Sequence, residues 1–292
     1  MKKILIFSLL LNFSIFGFTS CSDDNDSTNN NENTNGVEEQ QPQTLLTKME
    51  ASIVFNDGRG TDDNSKTEFV YNDKNKLVKM VTTQTYGNGS FYNSETKFYY
   101  DADKITGAFC TTIHNTGSEK DSSNVVLDSD NNIIKGTFFN DYNNFSSPSD
   151  VLEYKWSDGK LAEVKSVLDN TVYPITYTNG NITLLQHNSV TRDMTYTATF
   201  DDKKNPYSLL TYAIITYYDE LDSFIRTPED DQILAMLNTN NITKSILTIS
   251  GSHNELTEKE YSFEYNEDGY PTKETLTRNW GTVTTIYTYE KK

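Results

Sequence analysis

The chain has 292 residues, with 42 acidic against 25 basic side chains and a formal charge of -17. That length admits one large all-β domain or two ordinary ones, and the acidic excess disfavours nucleic acid and anionic lipid surfaces as partners. Nineteen Tyr, fifteen Phe and 38 Thr suit a pleated, half-buried surface, so helices should be few and the core should be built largely from rings.

In chain order, residues 1–20 (MKKILIFSLLLNFSIFGFTS) show a basic start, an apolar run too short to span a bilayer, and small residues before Cys21, the layout of a signal peptide. FTSC at 18–21 resembles a bacterial lipobox, with Phe18 where the pattern prefers Leu. The resemblance implies that Cys21 becomes the mature N-terminus and carries a diacylglyceryl thioether, usually with an N-acyl chain, so that outer-membrane lipid is its first partner. Two or three acyl chains, at about 0.8 kcal/mol per buried CH₂, would anchor the protein permanently. The following Ser22, Asp23, Asp24, Asn25 and Asp26 resemble the acidic export signal of Bacteroidetes surface lipoproteins. That implies an outer-membrane, cell-surface location, with the periplasmic face as the alternative.

Residues 21–43 have almost no apolar content and no base, which predicts a disordered acidic tether with an r.m.s. reach of roughly 25 Å. Residues 44–292 then form a single domain in which 36 acids face 23 bases. With Cys21 lipidated, Cys110 has no disulfide partner. His114 shares its strand face, but about 13 Å away by strand rise, so a nucleophilic thiol is disfavoured against a buried, packed one.

From residue 65 onward one device recurs: a strand ending in a ring or large apolar residue, a polar turn, then a strand opening with an apolar residue. It is seen in FVYNDKNKLVKM (69–80), FYYDADKITGAF (98–109), VVLDSDNNIIKGTF (125–138) and EYKWSDGKLAEV (153–164), and again in ITYTNGNITLL (175–185), ATFDDKKNPYSL (198–209) and FEYNEDGYPTKE (263–274). Short connections rich in Asn, Asp and Gly read as hairpin loops. Alternation along 195–200, 261–265 and 282–289 puts rings on one face and hydroxyls and charges on the other. Tyr71, Phe98, Tyr100, Trp156, Tyr177, Phe200, Phe263, Tyr265 and Tyr287 should line one interior, and Thr195, Thr197, Ser262, Glu264 and Thr284 should face water. Seven hairpins with flanking strands at 47–56, 242–250 and 281–290 predict an antiparallel up-and-down meander of roughly 15 to 17 strands, too wide to remain an open sheet. It should close or flatten into a barrel, packed with rings or holding a partly open lumen. The exception is 207–241, where Thr227, Pro228 and the acids 229–231 read as the start of a short helix near 228–238. Periodicity does not decide 207–227.

The turns WSDGKL (156–161) and YNEDGYP (265–271) resemble the tyrosine-aspartate repeats of Rhs-type shells. With the lipobox, the chain resembles a group of Bacteroidetes lipoproteins, the domain of unknown function 4595 family. That resemblance implies a soluble, porin-like barrel with no assigned activity. A membrane barrel needs an apolar outward band, whereas the polar-face positions here are Thr, Lys, Glu and Ser.

No catalytic, cofactor or metal motif emerges. Loops starting at Asp101 and Asp128 lack the Gly and Glu that a calcium-binding EF-hand requires at positions six and twelve, so they read as turn chemistry. His114, His187 and His253 have no paired zinc spacing. Nucleophile elbows, zinc-protease motifs and phosphate loops are absent from the sequence. The expected function is therefore a non-enzymatic, lipid-anchored surface lipoprotein that binds or scaffolds, with a glycan or an envelope protein as partner. Two rivals are a glycan-binding accessory protein of a polysaccharide-uptake system, with Trp156 or Trp280 stacking on sugar, and a hydrolase using a carboxylate pair.

Overall fold

The computed structural model describes residues 43–56, 63–168, 170–188, 192–210, 235, 237–251, 254–278 and 280–292. Among the described residues sixteen strands run in chain order: β1 (Thr44–Phe55), β2 (Asp63–Tyr71), β3 (Leu77–Thr85), β4 (Phe91–Asp101), β5 (Lys104–His114), β6 (Gly117–Leu127), β7 (Ile133–Asn140) and β8 (Asp150–Ser157). They continue as β9 (Lys160–Ser166), β10 (Val172–Thr178), β11 (Asn181–Asn188), β12 (Arg192–Phe200), β13 (Ile242–Gly251), β14 (Glu255–Tyr265), β15 (Pro271–Arg278) and β16 (Gly281–Lys291). Each pairs antiparallel with its chain neighbours, and β1 pairs with β16, so the meander closes into one barrel. The closing register sets Thr44 against Lys291 and Phe55 against Gly281.

Six of the seven recurring segments form hairpins, and all six turns lie at one end of the barrel. We call this the ring end. Its turn chemistry is local. In 72–76 the Asn72 Oδ1 accepts the amides of Lys74 and Lys76 while Asn75 takes a φ of 59°. In 128–132 Asp128 accepts from Asp130 and Asn132 while Asn131 takes 65°. Asp158–Gly159 and Asn179–Gly180 each place two residues at positive φ, the requirement of a two-residue turn matched to strand twist.

A second device ties four of the strand ends to the strand before them. The ring that ends a strand donates a hydrogen bond to the carbonyl of a residue at the opening of the strand before it. Tyr71 reaches Leu46 at 2.8 Å, Tyr100 reaches Leu77 at 2.7 Å, Trp156 reaches Ile133 at 2.8 Å and Tyr289 reaches Pro271 at 2.6 Å. A residue with a large flat body and a polar tip serves here because the body packs on the core while the tip satisfies a carbonyl.

The seventh segment departs from the pattern. After Phe200 the chain forms a loop and a 3₁₀ turn, Pro206–Leu209, in place of a second hairpin arm, and β12 pairs with β13 instead. The reason lies in the asparagines. Asn205 accepts the Tyr207 amide and donates to the Asn238 carbonyl, Asn241 donates to Asp201, and Asn238 accepts the Ile182 amide. This buried network pins both ends of the β12–β13 connection to the ring end, and Pro206 cannot supply a ladder donor. The helix expected near 228–238 lies outside the described residues apart from the helical Ala235 and residues 237–238.

The core fills the ring end and one side of the barrel. Leu46, Leu77, Ile105, Ile133, Phe138, Leu152, Tyr173 and Ile182 are buried, with Tyr71, Tyr100, Trp156 and Tyr177 packed against them. Of the other rings expected inside, Phe98 and Tyr287 are buried, while Phe200, Phe263 and Tyr265 are half-buried and stand outside that cluster. Among the positions expected to face water, Thr197, Ser262 and Glu264 are exposed, whereas Thr195 and Thr284 are half-buried.

The outer face carries charge and hydroxyl interspersed with exposed apolar side chains, Val54, Val70, Tyr99, Ile113, Val126 and Leu256 among them. Lys66 pairs with Glu68 at 2.8 Å, Lys97 with Glu95 at 3.1 Å and Lys273 with Glu264 at 2.8 Å, and Lys244 sits between Glu258 and Glu260. Such exposed pairs contribute little stability.

A lumenal cavity as the candidate functional site

Along each strand on one side of the barrel, the inward side chains change character from the ring end to the far end. On β2 the inward series runs Phe69, Thr67, Ser65, and on β4 it runs Phe98, Thr96, Ser94, Tyr92. Large side chains close the ring end. Small hydroxyls leave space beyond it, and a cavity of about 300 Å³ opens inside β1–β4 and β14–β16.

Its two flanks differ. β2–β4 supply hydroxyls, among them Thr67 and Thr82, whose oxygens lie 3.1 Å apart, and the buried Ser94 and Thr96. β14–β16 supply mainly Tyr261, Phe263, Leu276 and Val283, with the hydroxyl of Thr285 among them and Trp280 at the far rim. Pro206 and Tyr207 line the inner end, where Tyr207 meets Tyr287 edge to face with centroids 6.3 Å apart.

The charges in the lining are engaged. Glu274 accepts the Tyr287 hydroxyl at 2.6 Å, and burial first, then the Glu274 carboxylate, pushes the Tyr287 pKa well up, so this tyrosine stays a neutral donor. Arg278 lies over the Trp280 ring with its guanidinium carbon 5.4 Å from the centroid. Asp63 accepts the Gly87 amide at 2.8 Å.

The residues singled out in the sequence scatter. Cys21, Ser22, Asp23, Asp24, Asn25 and Asp26 lie outside the described residues, as does His253, and the His187 side chain is likewise not described. Cys110 is buried, 3.8 Å from the Thr112 hydroxyl. The His114 ring contacts Thr116 at 2.9 Å and Glu119 at 3.5 Å. Asp128 spends both carboxylate oxygens within its own turn, and Asp103 pairs with Lys74 and Lys76. Among the described residues no three His, Cys, Asp or Glu side chains gather where they could hold a metal. Of the two tryptophans, Trp156 belongs to the packed ring end and Trp280 to the cavity.

Sequence reading missed Ser94, Thr96, Glu274 and Arg278 as cavity residues. The available signal was the register itself: counting back by twos from Phe69 and Phe98 puts hydroxyls on the inward face.

No family model matches the chain, and no curated protein matches it. Among solved structures it is similar to a porin-like protein from Bacteroides uniformis, at 16% identity and a TM-score of 0.53, over 84% of this chain and 98% of that one. A porin-like protein from Bacteroides vulgatus aligns over 85% of this chain and 99% of that one, at 8% identity and a TM-score of 0.39. The likeness to the first establishes the fold, and the chain has a porin-like β-barrel architecture.

Proposed function

We propose that this protein is a lipid-anchored β-barrel of the bacterial outer membrane, exposed at the cell surface and held through acylated Cys21, with a non-enzymatic binding role. On this reading it belongs with the domain of unknown function 4595 lipoproteins. The observation that carries the proposal is the outer face, where ion pairs and threonines occupy the positions that a bilayer-embedded barrel gives to an apolar band. Such a barrel stands in water and needs another means of attachment, which the Cys21 lipobox supplies.

The geometry of attachment supports the same reading. Gln43 and Lys292 exchange two backbone hydrogen bonds, of 2.7 and 3.0 Å, at the ring end. A tether ending at Gln43 would join the barrel at its packed end and leave the far rim of the cavity clear of the attachment point. The engagement of Asp63 and Glu274 by Gly87 and Tyr287 favours binding over hydrolysis by a carboxylate pair. Mass spectrometry of the mature N-terminal peptide tests the anchor: acyl chains on Cys21 are expected, and an unmodified thiol would refute it. Protease shaving of intact cells tests exposure, which should be lost when Asp23 and Asp24 become Ala; an unchanged cleavage pattern would remove the role of the export signal.

A further inference from the structure

The cavity has two unlike flanks and a closed inner end, and this combination selects a chemistry. A purely apolar ligand would strip water from the hydroxyls of β2–β4 and leave buried polar groups without partners, which disfavours it. A strongly charged ligand would meet charges of both signs that already have partners, Glu274 with Tyr287 and Arg278 with Trp280. A compound satisfying both flanks needs an apolar face for Tyr261, Phe263 and Leu276, and an edge of hydroxyls for Thr82, Ser94 and Thr96. Hydroxyl side chains suit such an edge because each can donate and accept.

Size narrows the class. The cavity volume of about 300 Å³ corresponds to about ten waters at roughly 30 Å³ each, the low end of ligand pockets. Pro206 and Tyr207 line the inner end, so among the described residues the cavity is bounded toward the ring end.

We propose that this cavity binds a single uncharged, polyhydroxylated ring of monosaccharide size, free or as the terminal unit of a longer chain, with its apolar face on the β14–β16 rings and its hydroxyls on β2–β4. The inference rests on the binding role proposed above and names the ligand class for it. Trp280 is the reporter. In the full chain carrying Trp156→Phe it is the remaining indole, and its emission should change saturably on titration with glucose, galactose or N-acetylglucosamine, at millimolar Kd for at least one of them.

Thr82→Val and Ser94→Ala, which keep the strand positions and remove only a hydroxyl, should each weaken that Kd about tenfold, or about 1.4 kcal/mol. Octan-1-ol, titrated in parallel, separates the two levels of the claim. Saturation by octanol with none by the sugars, up to about 50 mM against an expected Kd near 1 mM, would overturn the ligand class while leaving a binding cavity. Silence with every probe would overturn the ligand class and the binding role together. Sugar binding that is unchanged in both hydroxyl variants would also overturn the site as drawn.

Discussion

Removing the hydroxyl from the ring-end tyrosines tests whether the tie between hairpins stabilises the barrel. Tyr71→Phe, Tyr100→Phe and Tyr289→Phe each keep the ring and delete one donor, whose acceptors are the carbonyls of Leu46, Leu77 and Pro271 at 2.6–2.8 Å. A hydrogen bond of this kind contributes about 1 kcal/mol net, and more when the remaining acceptor is left dry. Leu46 and Leu77 are fully buried, so the upper part of that range applies to Tyr71 and Tyr100. The three bonds share no partner, so their losses should add to about 3 kcal/mol in the triple variant. In urea, with an m of about 3 kcal/mol/M for a domain of this size, the midpoint should fall by about 1 M at unchanged m. The matched control is Tyr154→Phe. That hydroxyl is buried with no hydrogen-bond partner among the described residues, so its removal should be neutral or stabilising. A triple variant within about 0.5 kcal/mol of the parent, or a Tyr154→Phe as costly as Tyr71→Phe, would refute the reasoning.

Further perturbations probe other features. Ala102 sits at a φ of 51° in the β4–β5 turn, where the comparable turns use Asp-Gly or Asn-Gly, so Ala102→Gly should raise stability by about 1 kcal/mol in the same urea assay. Phe138 is fully buried on β7, and Phe138→Ala should cost about 3–5 kcal/mol, read as a lower thermal midpoint. Burial raises the pKa of Tyr71, Tyr154, Tyr177 and Tyr287 above 10.0, so folding keeps protons that the unfolded chain releases above that pH. Their contribution is whole below pH 10 and falls as pH rises further, by about 1.4 kcal/mol per pH unit for each, so urea midpoints should hold up to about pH 10 and drop steeply between about pH 10 and 12. A flat profile would contradict the burial of these hydroxyls.

Strand number and closure were legible because alternation and turn chemistry act over a few residues. Asn72 or Asp158–Gly159 specify a turn wherever they occur. The segment 198–209 misled because Phe200 and Pro206 have the spacing of a hairpin, while its fate depends on Asn238 and Asn241, more than thirty residues away. Asn238 falls in the expected helix and Asn241 just before the expected strand at 242–250, and both are buried hubs. The cavity was hidden for another reason. Thr and Ser have the same composition on both faces, and only the register running back from Phe69 and Phe98 tells the inward Thr67 and Ser94 from the outward Glu68 and Glu95. Phe263 and Tyr265 alternate as core residues do but fall on the cavity side and near the rim of the ring end, where the core cluster does not reach.

On the function proposed above, the barrel stands in water and is held by lipid at Cys21. Fractionation of cells producing the full chain with Cys21→Ala tests this most directly, with urea unfolding of the released protein to check its fold. The expected result is a folded protein in the soluble fraction, with the parent in the membrane fraction. A folded Cys21→Ala protein that remains with the membrane would contradict the account, because the barrel wall itself would then be the anchor.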